Sequence, residues 1–113
     1  MTVILTTNQV VVRNLKVAKN FFQRMKGLLG TKTLENGEGL LIPKCQGVHT
    51  FGMRYPIDVV FLDKSLRVLH TIQKMPPQHT SPIKLSAQSV LELPAGTIDR
   101  SHLSCGDQLV LKD

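Results

Sequence analysis

The sequence has few aromatic residues, few cysteines and no long apolar run. Its 113 residues contain no Trp, one Tyr and four Phe, which argues against a platform that stacks the bases of single-stranded nucleic acid. No apolar run approaches the roughly 20 residues that a membrane-spanning helix needs. The first residues lack the charged start, apolar middle and cleavage site of a secretory signal. We therefore expect a soluble, cytoplasmic protein with no membrane span.

The two cysteines, Cys45 and Cys105, are too few for a disulfide framework. We expect them to be free thiols in a reducing compartment. Cys45 and His49 have a spacing that a metal ion could use, but a zinc site needs three or four converging ligands. The other three histidines are scattered along the sequence. We therefore expect no bound metal and no cofactor.

Several motifs of familiar catalytic sites are also missing from the sequence. It contains no G-x-S-x-G nucleophile turn. It contains neither of the glycine-rich patterns, G-x-x-x-x-G-K-[ST] and G-x-G-x-x-G, that bind phosphates. The sequence names no reaction, and it favours a binding protein over an enzyme while leaving the enzyme open.

Acidic residues are missing from the N-terminal third of the chain. The first is Glu35, and residues 1–34 hold six of the 14 Lys and Arg. From residue 35 onwards eight basic residues balance eight acidic ones, so the net charge of +6 belongs to the N-terminal segment. Such a segment can contact nucleic acid, anionic lipid or an acidic partner, or it can simply be a solvated face. Because only a few lysines are involved, we expect any nucleic-acid binding to be weak and non-specific.

Length and composition fit a single domain over residues 1–113. Asn14 can cap a helix that runs to about Leu29, where Gly30 can end it. The apolar residues of this segment share one face of a helical wheel, and the lysines lie at the opposite edge. They are Val17, Ala18, Phe21, Phe22, Met25, Leu28 and Leu29. The pattern predicts one amphipathic α-helix near the N-terminus.

Short strands separated by turns are predicted for most of the remaining chain. They cover residues 3–6, 10–13, 39–43, 57–62, 66–72, 89–93 and 108–111. Residues 74–86 contain three prolines and predict a surface loop. The many short strands predict a mainly β fold, and the lack of βαβ alternation argues against a Rossmann-like parallel sheet. We expect a compact antiparallel sandwich or a jelly-roll-like barrel, with the helix on an end or a face.

The densest group of polar side chains lies in residues 49–58. Asp58 opens an apolar strand, where an ionised carboxylate needs a partner. We predict that Arg54, His49 or backbone N–H groups compensate its charge. A pair of Asp58 and His49 could position a general base. The structural alternative is that Asp58 caps a turn or closes an ion pair.

Glu92 raises the same question in the strand of residues 89–93. The alternation of side chains puts Glu92 on the same face as Val90 and opposite to the two leucines of the strand. If that face meets solvent, Glu92 is an ordinary surface residue. If the face lines a concave surface, Glu92, Asp58 and His49 could converge on a ligand. The sequence leaves both possibilities open.

Three blocks of the sequence carry a resemblance to a known family. They are residues 22–29, residues 39–41 with 49–63, and residues 90–96 with Gly106 and Asp107. Their order and spacing resemble a widespread bacterial and archaeal family called domain of unknown function 192. The resemblance extends from about residue 15 to the C-terminus. It implies a small, mainly β domain of sandwich or jelly-roll-like topology, and it supplies no established activity, substrate or cofactor.

The resemblance also indicates where a site should be sought. The residues that match the signature are His49, Thr50, Met53, Arg54, Asp58, Glu92 and Gly96. One position departs from the pattern, because Gly52 stands where the family usually carries Phe or Trp. If that aromatic residue forms a wall of a pocket, the pocket is wider or differently lined in this protein.

Our leading hypothesis is a domain that binds a small ligand or a partner. Its site would be built from residues 49–58 and Glu92, with His49, Thr50, Met53, Arg54 and Asp58 as ligand-binding residues. One alternative is an enzyme that uses Asp58 and His49 for acid–base chemistry. The other is an interaction module whose basic N-terminal helix contacts nucleic acid or an acidic surface.

Overall fold

The protein is described by a computed structural model that covers residues 1–18, 34–51 and 53–113. Within these residues, short strands and one five-residue helix alternate with turns. The elements are β1 (Thr2–Leu5), β2 (Val10–Val12), β3 (Asn14–Val17), β4 (Glu38–Pro43), β5 (Ile57–Leu62), β6 (Val68–Met75), β7 (Ser89–Pro94), α1 (Thr97–Ser101) and β8 (Leu109–Lys112). The fold is therefore mainly β, as the sequence predicts.

The strands form two sheets. The smaller sheet has the order β2-β1-β8, and the larger one has the order β3-β4-β7-β5-β6. All neighbouring strands are antiparallel except β3 and β4, which are parallel. The larger sheet is therefore mixed, and the expected antiparallel pairing does not extend to this edge.

Two clusters of buried apolar side chains lie on opposite faces of the larger sheet. The first, here called the inter-sheet core, joins residues of both sheets. It includes Val3, Leu5, Val12, Val60, Leu62, Leu91, Leu93 and Leu109. The second, here called the loop-side core, includes Leu40, Ile42, Val48, Met53, Ile57, Val59, Phe61, Met75, Ala87 and Val90. Every residue of β5 and β7 is buried, because both of their faces meet a core.

The N-terminal helix predicted from Asn14 to Leu29 is wrong over its first turn. Asn14–Val17 is the strand β3, which pairs with Glu38–Leu41 of β4. Backbone hydrogen bonds of Asn14 to Gly37 (2.9 Å) and of Ala18 to Leu41 (2.9 Å) continue the pairing at both ends. Long-range strand pairing therefore overrides the local helical pattern. The remainder of the predicted helix, residues 19–29, lies outside the described residues.

The helix of the described chain lies near the C-terminus instead. α1 (Thr97–Ser101) follows Gly96, whose φ of 96° is a left-handed conformation that glycine adopts without steric cost. It ends at His102, where φ is 54° and the backbone N–H reaches back to the last helical turn. The sequence predicts the turn at residues 94–96 but not the helix after it, because five residues are too few for a clear helical periodicity.

Candidate functional site

Asp58 is fully buried in β5, and backbone groups compensate its charge. Its Oδ1 accepts a hydrogen bond from the backbone N–H of Lys74 at 2.8 Å. Its Oδ2 accepts two more, from the N–H of Gly96 at 3.1 Å and from that of Ile98 at 2.8 Å. Of the three kinds of partner that the sequence analysis considered, the described residues provide the backbone N–H groups.

The three donors belong to two irregular parts of the backbone. Opposite Asp58, the register between β5 and β6 shifts by one residue, and Lys74 has a left-handed φ of 52°. At this bulge the backbone N–H of Lys74 donates its hydrogen bond to the carboxylate of Asp58. Gly96 and Ile98 lie at the start of α1, where backbone N–H groups have no partner within the helix. Asp58 therefore ties the bulge in β6 to the N-terminus of α1.

Glu92 is fully buried in the middle of β7. It pairs with Leu40 of β4 on one side and with Val59 of β5 on the other. Residues directly opposite each other on antiparallel strands project from the same face of the sheet. Because Leu40 and Val59 belong to the loop-side core, the carboxylate of Glu92 faces that core.

The two buried carboxylates lie on opposite faces of the larger sheet. Asp58 pairs with Leu93, which belongs to the inter-sheet core, whereas Glu92 faces the loop-side core. Their strands are neighbours, but positions 58 and 92 are one residue out of line in the register. A shift of one residue reverses the face of a side chain. Asp58 and Glu92 therefore do not converge on a common ligand.

Thr50 holds the 49–58 segment against the loop that follows β6. Its side chain is fully buried, and its Oγ1 donates to the carbonyl of Pro76 at 2.6 Å and accepts from the N–H of His79 at 2.9 Å. Backbone hydrogen bonds join the same two segments, from Thr50 N–H to His79 O at 2.8 Å and from Gln78 N–H to Thr50 O at 3.1 Å. The hydroxyl of Thr50 is therefore used within the fold.

The neighbours of Thr50 differ in their exposure. Val48 and Met53 are buried members of the loop-side core. His49 is half-buried, and its ring stacks on Phe51 with 5.3 Å between the ring centroids. Phe51 is 50% exposed. The segment therefore reaches from the loop-side core, which Glu92 faces, to the surface at Phe51.

Arg54 is exposed at the surface. The residue that departs from the family pattern, Gly52, lies outside the described residues. Among the residues that are described, no group of three His, Cys, Asp or Glu side chains could hold a metal ion. Cys45 and Cys105 are free thiols, and Cys45 donates from Sγ to Gly47 O at 3.0 Å. No described helix is long and apolar enough to cross a bilayer.

Two described side chains away from this segment have shifted pKa values. The backbone N–H of Arg67 is the main cause that lowers the pKa of Asp63, and the N–H of Ser65 adds to it against the opposing effect of desolvation. Burial lowers the pKa of His70, and the positive charge of Lys84 lowers it further. His70 and Lys84 line an open cavity beside the exposed side chains of Ile83 and Leu85.

The sequence allowed for backbone donors to Asp58, but it did not indicate which residues provide them. A backbone N–H carries no residue signature, so neither Lys74 nor Ile98 could be identified from residue type. The turn at residues 94–96 is the sequence feature that could have indicated such donors, because a glycine after a strand can lead into a helix N-terminus that a carboxylate stabilises.

Comparison with known proteins agrees with the resemblance that the sequence blocks suggested. The sequence profile of DUF192, described as "Uncharacterized ACR", matches residues 3–111. The chain belongs to the DUF192 family. It is 31% identical over 108 residues to a UPF0127 protein of Thermococcus sibiricus (strain DSM 12597 / MM 739), and the match covers 92% of this chain and 70% of that protein.

Two solved structures share the fold of this DUF192 chain. A protein of unknown function from Novosphingobium aromaticivorans DSM 12444 superposes with a TM-score of 0.80 at 23% identity, over 97% of this chain and 82% of the other. A protein of Sinorhizobium meliloti 1021, described as a candidate transcription regulator, superposes with a TM-score of 0.76 at 22% identity, over 96% and 89% of the two chains. At these identities the similarity establishes the DUF192 fold alone.

Proposed function

We propose that the protein binds a small ligand on the loop-side face of the larger sheet, with Glu92 as the recognition group. The observation that carries the proposal is the complete burial of the Glu92 carboxylate on an apolar face. Ionisable side chains placed in apolar surroundings are frequent at functional sites.

The chemistry of Glu92 selects the class of ligand. An ionised carboxylate only accepts hydrogen bonds, and its strongest partners are cationic N–H groups. Its strand neighbours on this face, Leu40 and Val59, are apolar and match the carbon skeleton of a small molecule. We therefore infer a ligand that carries an amine or guanidinium group on a short apolar body.

Residues 48–51 and Met53 would form the rim of this site. Val48 and Met53 pack in the same core that Glu92 faces, and Thr50 anchors the segment to residues 76–79. The stacked rings of His49 and Phe51 lie between this core and solvent. Aromatic rings at such a position can cover an apolar ligand or hold a cation over the ring face.

The bonding of Asp58 supports a binding function over acid–base catalysis with His49. Both carboxylate oxygens of Asp58 are engaged by backbone N–H groups. A carboxylate in that role stabilises the fold, and it projects from the face of the larger sheet opposite to the loop-side core, in which Val48 and Met53 are packed. We therefore assign Asp58 a structural role and remove it from the set of ligand-binding residues.

The proposal can be tested by amide NMR titration with putrescine, agmatine and arginine as probes. We expect at least one probe to shift resonances of residues 48–53 and of the strands beside Glu92 in a saturable manner. The Glu92→Gln variant should lose these shifts, because a neutral amide removes the charge that pairs with the probe.

The matched control is Glu35→Gln, which makes the same change at an exposed carboxylate. This variant should bind the probe as the wild type does. The amide spectrum of Glu92→Gln without probe establishes that the variant is folded. A probe response that is identical in wild type and Glu92→Gln, or the lack of any saturable response, would contradict the proposal.

A further inference from the structure

A second candidate site lies away from the loop-side face, beside α1. A cavity of about 200 Å³ opens between β2, the turn before β4 and the helix α1. Of the described residues that line it, Arg13 and Arg100 are basic and none is acidic. Its polar lining is completed by Gln9, Asn36, Thr97 and Ser101.

Arg100 is held in place by neutral oxygens. Its Nη2 donates to Asn36 Oδ1 at 3.3 Å and to Thr97 Oγ1 at 3.4 Å. Thr97 Oγ1 in turn donates to Pro94 O at 2.7 Å, which fixes the acceptor. The guanidinium lies over Gly96, where an added Cβ would come within 3.0 Å of Nη1. Among the described residues, no carboxylate neutralises this charge and no acceptor occupies Nη1 or Nε.

Arg13 is positioned from the other side of the cavity. Its backbone N–H donates to Gly37 O at 2.8 Å. Its aliphatic stem lies against Gly37, because a Cβ added there would be 3.7 Å from Cβ and from Cδ of Arg13. Arg13 has no ion pair with a described acidic residue. Its stem is therefore packed while its charge remains available to a ligand.

Two guanidinium groups that line one cavity, with no carboxylate partner among the described residues, favour a ligand of opposite charge. Like charges repel, and an anion between them relieves that repulsion. The planar fork of arginine binds the oxygens of phosphate in pairs, and a phosphate group carries about two negative charges at neutral pH. We propose that the cavity lined by Arg13 and Arg100 binds a phosphate group.

The buried carboxylate of Asp58 stabilises the helix that carries one of the two arginines of this site. It accepts hydrogen bonds from Gly96 and Ile98 at the start of α1, the helix that carries Arg100. Asp58 is on the opposite face of the sheet from Glu92, so the phosphate site is independent of the proposed amine site. The two proposals can therefore fail separately.

The phosphate site can be tested by calorimetric titration at constant ionic strength. Inorganic phosphate and glycerol 3-phosphate are the probes, and acetate and chloride are the comparison anions. We expect saturable binding of phosphate. Tighter binding of glycerol 3-phosphate would identify a phosphate monoester as the occupant, and equal or weaker binding would identify free phosphate.

The variants Arg13→Gln and Arg100→Gln should each weaken phosphate binding by about ten-fold or more, because charge-assisted hydrogen bonds are roughly twice as strong as neutral ones. Arg100→Lys should fall between wild type and Arg100→Gln, because it keeps the charge and loses the fork.

The control is Arg67→Gln, which changes an exposed arginine away from the cavity whose Nη1 donates to Gly106 O at 2.8 Å. It should bind phosphate like the wild type, and so should Glu92→Gln. Phosphate binding no stronger than that of acetate would overturn the proposal. Equal phosphate affinities in wild type, Arg13→Gln and Arg100→Gln would overturn it as well.

Discussion

Replacing Asp58 with Asn should destabilise the protein strongly while leaving its shape almost unchanged. The carboxylate is fully buried and accepts hydrogen bonds from the backbone N–H groups of Lys74, Gly96 and Ile98. An Asn side chain has nearly the same size, but it offers one oxygen and one NH₂ group. The Asn oxygen can accept either from the N–H of Lys74 or from the N–H groups of Gly96 and Ile98. Its NH₂ group then faces at least one backbone N–H, and two donors cannot bond to each other.

The magnitude follows from the three hydrogen bonds. In the better orientation two bonds change from a charged to a neutral acceptor, which costs about 1 kcal/mol each. The third N–H is left buried without an acceptor, which costs about 1–3 kcal/mol. Relief of the desolvation of the carboxylate offsets part of this loss, so we expect a net destabilisation of about 3 kcal/mol. For a domain of this size that corresponds to a fall in Tm of about 10 °C.

Thermal and denaturant unfolding measure the global effect, and amide hydrogen exchange measures the local one. Exchange at Lys74, Gly96 and Ile98 should accelerate beyond the change in global stability. The matched control is Asp99→Asn, which removes the same charge from an exposed position in α1 and should change stability by less than about 1 kcal/mol. A Tm of Asp58→Asn equal to that of the wild type would refute the structural role of Asp58.

Three further predictions concern packing and pH. Gly39→Ala should cost about 1–3 kcal/mol, because the new Cβ would lie 2.9 Å from Val12 Cγ2, and the added change Val12→Ala should restore part of the loss. Phe61→Ala should cost about 3–5 kcal/mol, because the ring is fully buried. As pH falls below 6.5 and through the folded-state pKa of His70, stability should decrease, since that pKa is lowered. Lys84→Gln should raise the pKa of His70 only in part, because desolvation is the larger cause.

These predictions are checked by denaturant unfolding for the packing variants and by NMR titration of the imidazole for His70. Phe51→Ala is the control for Phe61→Ala, because Phe51 is 50% exposed and should change stability by less than about 1 kcal/mol. Strictly additive effects of Gly39→Ala and Val12→Ala would contradict the predicted contact. A pKa of His70 at or above 6.5 would contradict the predicted effect of burial.

The central strands could be predicted from the sequence with little error. Residues 57–62 have the same bounds in the sequence prediction and in β5, and β7 extends the predicted strand by one residue. Both segments are rich in β-branched and large apolar residues and are bounded by turn residues. In β5 and β7 this local preference agrees with the tertiary environment, because each strand is buried on both faces.

The N-terminal region shows where local pattern was insufficient. The helical spacing of apolar residues includes Val17, but the backbone of Asn14–Val17 pairs in parallel with β4. That pairing joins residues more than 20 positions apart, and no local periodicity encodes it. The short helix α1 also depends on a long-range contact. Its N-terminus is stabilised by Asp58 from a distant strand, which the local sequence of the helix does not indicate.

The sequence by itself determined that Asp58 and Glu92 are carboxylates in apolar strands, and that each strand alternates its side chains between two faces. Only the tertiary structure decided how the two strands align in the sheet, and therefore on which face of the sheet each carboxylate lies. The register aligns Asp58 with Leu93 and Glu92 with Val59, so one carboxylate faces each core. The donors to Asp58 lie 16, 38 and 40 residues away along the chain and are all backbone groups. Backbone N–H groups are the same at every residue except proline, so only the path of the folded chain can select which of them reach a buried charge.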